Sequence, residues 1–157
     1  MKRIINILAM TLCVMLFVSC KKSTENEWQR FWGFTKDDIA GHYNANPDES
    51  LYEELPTEGI KVYDNATMDI TGGSGNNITL QITIPGTVNK TFSGVIYSSD
   101  DNSDIVLENG NHDIRMTVYK NDENNVRFHG RVQQFYINSN NQRVNLHTYG
   151  FDVIKEE

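Results

Sequence analysis

Cysteine, proline and positive charge are all scarce in this chain. Two cysteines, Cys13 and Cys20, occur in 157 residues, which excludes a small fold stapled by several disulfides. Three prolines and eleven glycines exclude a proline-rich or collagen-like chain. Lys and Arg number 14 against 21 Asp and Glu, a formal net charge of −7. That balance argues against nucleic acid as a partner, because binding phosphates needs a positive footprint. What is present fits one globular domain: 38% hydrophobic and 22% charged residues over a length typical of a single core.

Residues 1–20 read MKRIINILAMTLCVMLFVSC. Lys2 and Arg3 form a positive start, Ile4 to Val18 an apolar core, and small Ser19 precedes Cys20 before the polarity flips to KKSTENE. The core is short for a transmembrane helix, which needs about 20 predominantly apolar residues, and the pattern is that of a cleaved signal peptide. A short membrane anchor helix is the alternative. Phe17-Val18-Ser19-Cys20 resembles the lipobox of bacterial lipoproteins, with Phe17 where Leu is usual. The resemblance implies that residues 1–19 are a lipoprotein signal peptide and that the Cys20 thiol is diacylated. Cleavage between Ser19 and Cys20 and acylation of the new amino terminus would follow. It places the protein in the cell envelope, anchored by lipid to the outer membrane of a Gram-negative bacterium.

Two or more acyl chains anchor stably, since each buried methylene contributes about 0.8 kcal/mol and one chain alone is marginal. With Cys13 removed and Cys20 acylated, no thiolate is left for nucleophilic or metal chemistry. Losing Lys2 and Arg3 takes the net charge from −7 to −9. Acyl chains rather than charge would then hold the protein, with Lys21 and Lys22 adding a little local attraction to anionic lipid.

Residues 20–34 are expected to be a lipidated tether and a short aromatic helix. Trp28, Phe31 and Trp32 fall at i, i+3 and i+4, one face of a helix. That face would cover part of the domain, or else rest on the membrane interface, where Trp is enriched. Thr35 is a plausible N-cap with Asp38 three positions later, and Phe34 is placed to staple onto Ile39.

From residue 35 to 157 the period is two. Ile78, Leu80, Ile82 and Ile84 alternate with Asn77, Thr79, Gln81 and Thr83. Ile60, Val62, Ala66, Met68 and Ile70 share a face, as do Ile114, Met116 and Val118. Phe92 and Ile96 flank Gly94, and Ile105 and Leu107 form a shorter piece. The stretches 126–138 and 143–154 carry large apolar residues on both faces and need cover on both sides, for which the Trp28/Trp32 helix is the candidate. Turn signals such as TGGSGNN, Pro85-Gly86 and Asn109-Gly110 separate the runs at hairpin spacing. These features predict an all-β domain, one antiparallel meander of about eight strands, closed into a barrel to remove its edges. Residues 46–59 form a long acidic loop after the first strand.

Ile39-Ala40-Gly41-His42-Tyr43 opening the first strand after a helical turn, the long first loop and the meander resemble the calycin (lipocalin-like) barrels. Gly41-x-Tyr43 stands where lipocalins carry Gly-x-Trp. The resemblance implies a small apolar ligand inside the barrel, or a barrel kept only as scaffold.

Chemistry-bearing patterns are few. His42, His112, His129 and His147 are far apart, with none at the i, i+2 or i, i+4 spacing of paired zinc ligands. With a turn centred on Asn140, His129 falls opposite Phe151. Asp100-x-Asn102-x-Asp104 follows the start of an EF-hand loop, but Ile105 and Asn111 replace the required Gly and Glu. Gly72-Gly73-Ser74-Gly75 is not a nucleophile elbow, and Glu53-Glu54 are adjacent rather than opposed. No catalytic residue, metal or cofactor is therefore expected. A non-enzymatic structural or protein-interaction lipoprotein competes with a binding module for a small apolar ligand. Bulky inward candidates favour the first, and only Gly94, Gly130, Gly150 and Ala66 leave room for the second. Partners would be the membrane and another envelope protein or a small apolar ligand.

Overall fold

The computed structural model describes residues 27–47, 61–63, 65–97 and 101–156. Cys20, most of the acidic loop with Glu53 and Glu54, and Asp100 lie outside the described residues. The described chain forms ten strands and one short helix: β1 (Gln29–Arg30), α1 (Lys36–Ile39), β2 (Gly41–Ala45), β3 (Lys61–Tyr63), β4 (Thr67–Gly72), β5 (Asn77–Ile84), β6 (Val88–Val95), β7 (Asp104–Asn109), β8 (His112–Lys120), β9 (Val126–Ile137) and β10 (Arg143–Lys155).

Alternation sets the faces. In β5 Ile78, Leu80, Ile82 and Ile84 are buried while Asn77, Thr79 and Gln81 are exposed. The same parity buries Met68 and Ile70 in β4, Ile105 and Leu107 in β7, and Ile114, Met116 and Val118 in β8. Ladders join β6, β5, β4, β2, β10, β9 and β8 in that order, so the first long strand lies beside the last. All pairs are antiparallel except β3, which runs parallel to β10 through Gly150↔Val62. Val62 therefore does not share a strand with Met68 and Ile70, and Ile60 lies outside the described residues. Val62 joins β10, whereas Met68 and Ile70 pair with β2 and β5.

The sheet does not close into a barrel. Its ends, β6 and β7, face each other with no ladder between them. Side chains make the contact instead: Asn109 Nδ2 donates to Thr91 O at 2.5 Å, and Leu107 lies over Gly94, where a Cβ would stand 2.5 Å from Leu107 Cδ2. A leucine packed into the seam takes the space that paired backbones would need.

The aromatic segment is not a helix. Gln29 and Arg30 pair with Lys120 and Tyr119, and Phe31 N donates to Val118 O. Strand β7 covers β8 only as far as Thr117, so β1 fills the edge left beyond it. Trp32 is consequently 47% exposed, while Phe34 is the residue driven into the core. The turn after it forms as expected. Thr35 Oγ1 accepts from Asp38 N, the Asp38 carboxylate accepts in turn from Thr35 N, and Phe34 and Ile39 are buried in one core cluster.

Large side chains fill the interior, with Phe34, Tyr43, Phe92, Phe128 and Phe151 fully buried among the aliphatic rows. Gly94 and Gly130 each admit a close neighbour. Gly130 lets β8 approach β9: a Cβ there would collide with Arg115 O and stand 2.6 Å from Met116 Cβ. Gly130→Ala should therefore destabilise the domain by about 1–3 kcal/mol through overpacking. Urea unfolding checks this, and an unchanged midpoint would mean that β8 can move away at no cost.

Candidate functional site

Gly41 and Tyr43 serve the fold at this position. Gly41 adopts φ +149, a backbone conformation that residues with a side chain rarely take, and Lys155 Cε lies where a Cβ would stand. Tyr43 is fully buried, packs edge-on against Phe128 at 5.0 Å, and donates its hydroxyl to Ile39 O at 2.6 Å. Burial pushes its phenol well above the usual tyrosine range. The pair thus locks α1 onto β2.

The four histidines stay apart. His42 pairs through Nδ1 with Asp69 at 2.6 Å on the exposed face of β2 and β4, which raises its pKa. His112 Nδ1 lies 2.8 Å from Asn111 Oδ1, and burial lowers its pKa. His147 sits 6.0 Å from the Tyr149 ring. His129 meets Asp152, because a register shift between Asn145 and His147 brings Asp152, not Phe151, opposite it. Among the described residues no three His, Cys, Asp or Glu side chains gather as a metal site.

The best-built polar cluster lies on the outer face of β9 and β10. Arg127 donates to both oxygens of Asp152, with Nη2 to Oδ2 at 2.5 Å and Nε to Oδ1 at 2.8 Å. His129 Nδ1 lies 3.0 Å from Oδ2, and Asn46 Nδ2 donates to Oδ1 at 2.9 Å. The Arg127 guanidinium also sits 5.7 Å from the Trp28 ring and 5.6 Å from the Tyr119 ring. Burial by itself would raise the Asp152 carboxyl. Hydrogen bonds from His129 and Arg127, the Arg127 charge and the Asn46 amide outweigh it and hold the carboxyl below the usual aspartate range. The cluster ties Asn46, just beyond β2, to β9, β10 and the N-terminal segment.

A second cluster stands further along the same face. Asp113, fully buried, accepts from Arg143 Nη2 at 2.5 Å and from Arg115 Nε at 3.3 Å. Arg143 stacks on Phe135 at 3.8 Å. Sequence reasoning singled out none of Arg127, Asp152, Asp113 or Arg143. The available signal was a charged residue inside an apolar strand, as in Phe151-Asp152-Val153.

One cleft of about 230 Å³ opens where β6 and β7 part, lined by Phe34, Val95, Ile96, Tyr97, Ile105 and Val106 with Asn102 and Asp104. Its polar side chains are engaged: Asn102 bonds Tyr97 O and Asp104 N, and Asp104 accepts from Thr117. Asp104 and Asn102 thus shape a turn, the role that polar residues at that spacing commonly play. Comparison with protein-family models, curated proteins and solved structures returned no match.

Proposed function

We propose that the chain is a non-enzymatic envelope lipoprotein, held by acyl chains on Cys20, whose β domain works as a structural or protein-interaction module. The observation that carries this is the filled interior: aromatic and aliphatic side chains occupy the space where a barrel would hold a ligand. Strand β2 beside β10, the capped turn α1 before it and Gly41-x-Tyr43 support a calycin-like ancestry kept as scaffold. Beyond Gln134 the β9–β10 hairpin has no ladder to β8, and it exposes Tyr136, Ile137 and Leu146 for contact with another envelope protein. The cleft beside Tyr97 favours the second reading, a small apolar ligand, held at the seam rather than inside.

Feeding cells a fatty-acid analogue tests the anchor. Cys20→Ala should yield an unlabelled precursor and Cys13→Ala a fully labelled protein; equal label in wild type and Cys20→Ala sinks the lipoprotein reading. Native mass spectrometry of the domain from its own envelope separates the two functions. A bare mass supports the module, and a bound small molecule supports the binder.

A further inference from the structure

The exposed apolar residues at one end of the sheet point to a defined posture on the membrane. We infer that the end carrying Trp32 and Tyr97 rests on the lipid headgroup region, with the β9–β10 hairpin directed away from it; this rests on the acylation of Cys20 proposed above.

Several observations converge on that end. Tyr97 is 75% exposed, and Val95, Val106 and Trp32 are exposed with it. Trp32 lies two residues before Phe34, whose ring lines the same cleft as Val95, Tyr97 and Val106. Trp and Tyr present an apolar body with a polar tip, the character that enriches them where lipid meets water. Charges around α1 are mixed, with Arg30, Lys36, Lys120 and Lys155 beside Asp37, Asp38 and Glu156. Contact would therefore depend on rings rather than on anionic lipid.

Reach selects this end over the other apolar surface. Trp28 stands eight positions after Cys20, and a fully extended chain spans at most about 3.5 Å per position, so the tether reaches about 28 Å. The chain enters the fold at Lys120, the partner of Gln29, beside the turn into β9. Strand β9 then runs 12 residues to the hairpin tip, which at about 3.3 Å per residue lies nearly 40 Å further on. An upright domain cannot put that tip on the bilayer while its amino terminus is held there.

The test uses the full acylated protein reconstituted into neutral phosphatidylcholine vesicles with bromines placed near the headgroups. Trp28 and Trp32 are its only tryptophans, so wild-type emission is read first and Trp28→Phe assigns the signal to Trp32. Trp32 emission should fall markedly against unbrominated vesicles, and added salt should not restore it. A Tyr136→Trp reporter in a Trp28→Phe/Trp32→Phe background should keep its emission. Unquenched wild-type emission in vesicles that float with the protein overturns the posture, as does quenching of the Tyr136→Trp reporter. Protein that does not float, or Cys20→Ala that floats equally well, instead overturns the anchor on which the posture depends.

Discussion

Asp152→Ala should cost the domain about 3–5 kcal/mol, because it strands a buried guanidinium. The Arg127 side chain is only 4% exposed and directs its bonds at Asp152 from between two rings. Removing the carboxylate leaves that charge without its counterion and breaks the bond from Asn46 Nδ2 to Oδ1. The double variant Arg127→Met/Asp152→Leu should recover much of the loss, since a well-packed apolar pair often equals or exceeds a buried ion pair. The effect also carries a pH signature. The folded Asp152 pKa lies below the unfolded value of 3.8, so its contribution is fully present above that value and is lost as pH falls through the folded pKa. Thermal melts from pH 7 to pH 2 should therefore show the gap between wild type and Asp152→Ala narrowing below about pH 4. A gap that is small at pH 7, or constant across the range, would mean that the pair is not holding the strands.

That cluster was hidden in the sequence for a physical reason. Strand faces follow from alternation, so the inward rows of β4, β5, β7 and β8 are legible residue by residue. Register between distant strands is not. One extra residue near Leu146 shifts the hairpin, so His129 faces Asp152 instead of Phe151 and the outer face acquires an ion pair spanning 25 positions. The parity of the apolar positions does change, from Val144 and Leu146 to Tyr149, Phe151 and Val153, but that change reads equally well as a strand apolar on both faces.

The two larger misreadings have a common source, the demands of sheet edges. Trp28, Phe31 and Trp32 have helical spacing, yet a tertiary need for a partner along Tyr119 and Lys120 draws Gln29 and Arg30 into a strand. Local pattern yields because two backbone pairings and the burial of Phe34 outweigh one turn of helix, which is only marginal by itself. Closure failed on similar grounds. A run of strands shows that edges must be managed, but it does not say whether paired backbones or side chains manage them. Here Leu107 over Gly94 and Asn109 on Thr91 do so. The capping box of Thr35 and Asp38 was fully legible because its partners are three residues apart.

The interior decides between scaffold and binder, and Leu80→Ala puts the question directly. Leu80 is fully buried and lies between Ile70 on β4 and Phe92 on β6, both buried as well. Truncation in such a row removes apolar contact and leaves a cavity that rigid strands cannot collapse, at a cost of about 2–5 kcal/mol. Leu80→Met, which conserves volume, should cost less than about 1.5 kcal/mol, so the loss would be one of packing and not of position. A pocket shaped for a ligand behaves in the opposite way. Its lining tolerates truncation when empty, and ligand present at about 100 times its dissociation constant raises stability by about 2.7 kcal/mol through mass action. Thermal melts of wild type, Leu80→Met and Leu80→Ala, each with and without fatty acids, haem and hydrophobic dyes, separate these cases. A large loss for Leu80→Ala with no ligand-dependent rise supports the solid scaffold. A near-neutral Leu80→Ala whose melting temperature climbs with one of those ligands would overturn it and make the domain a carrier.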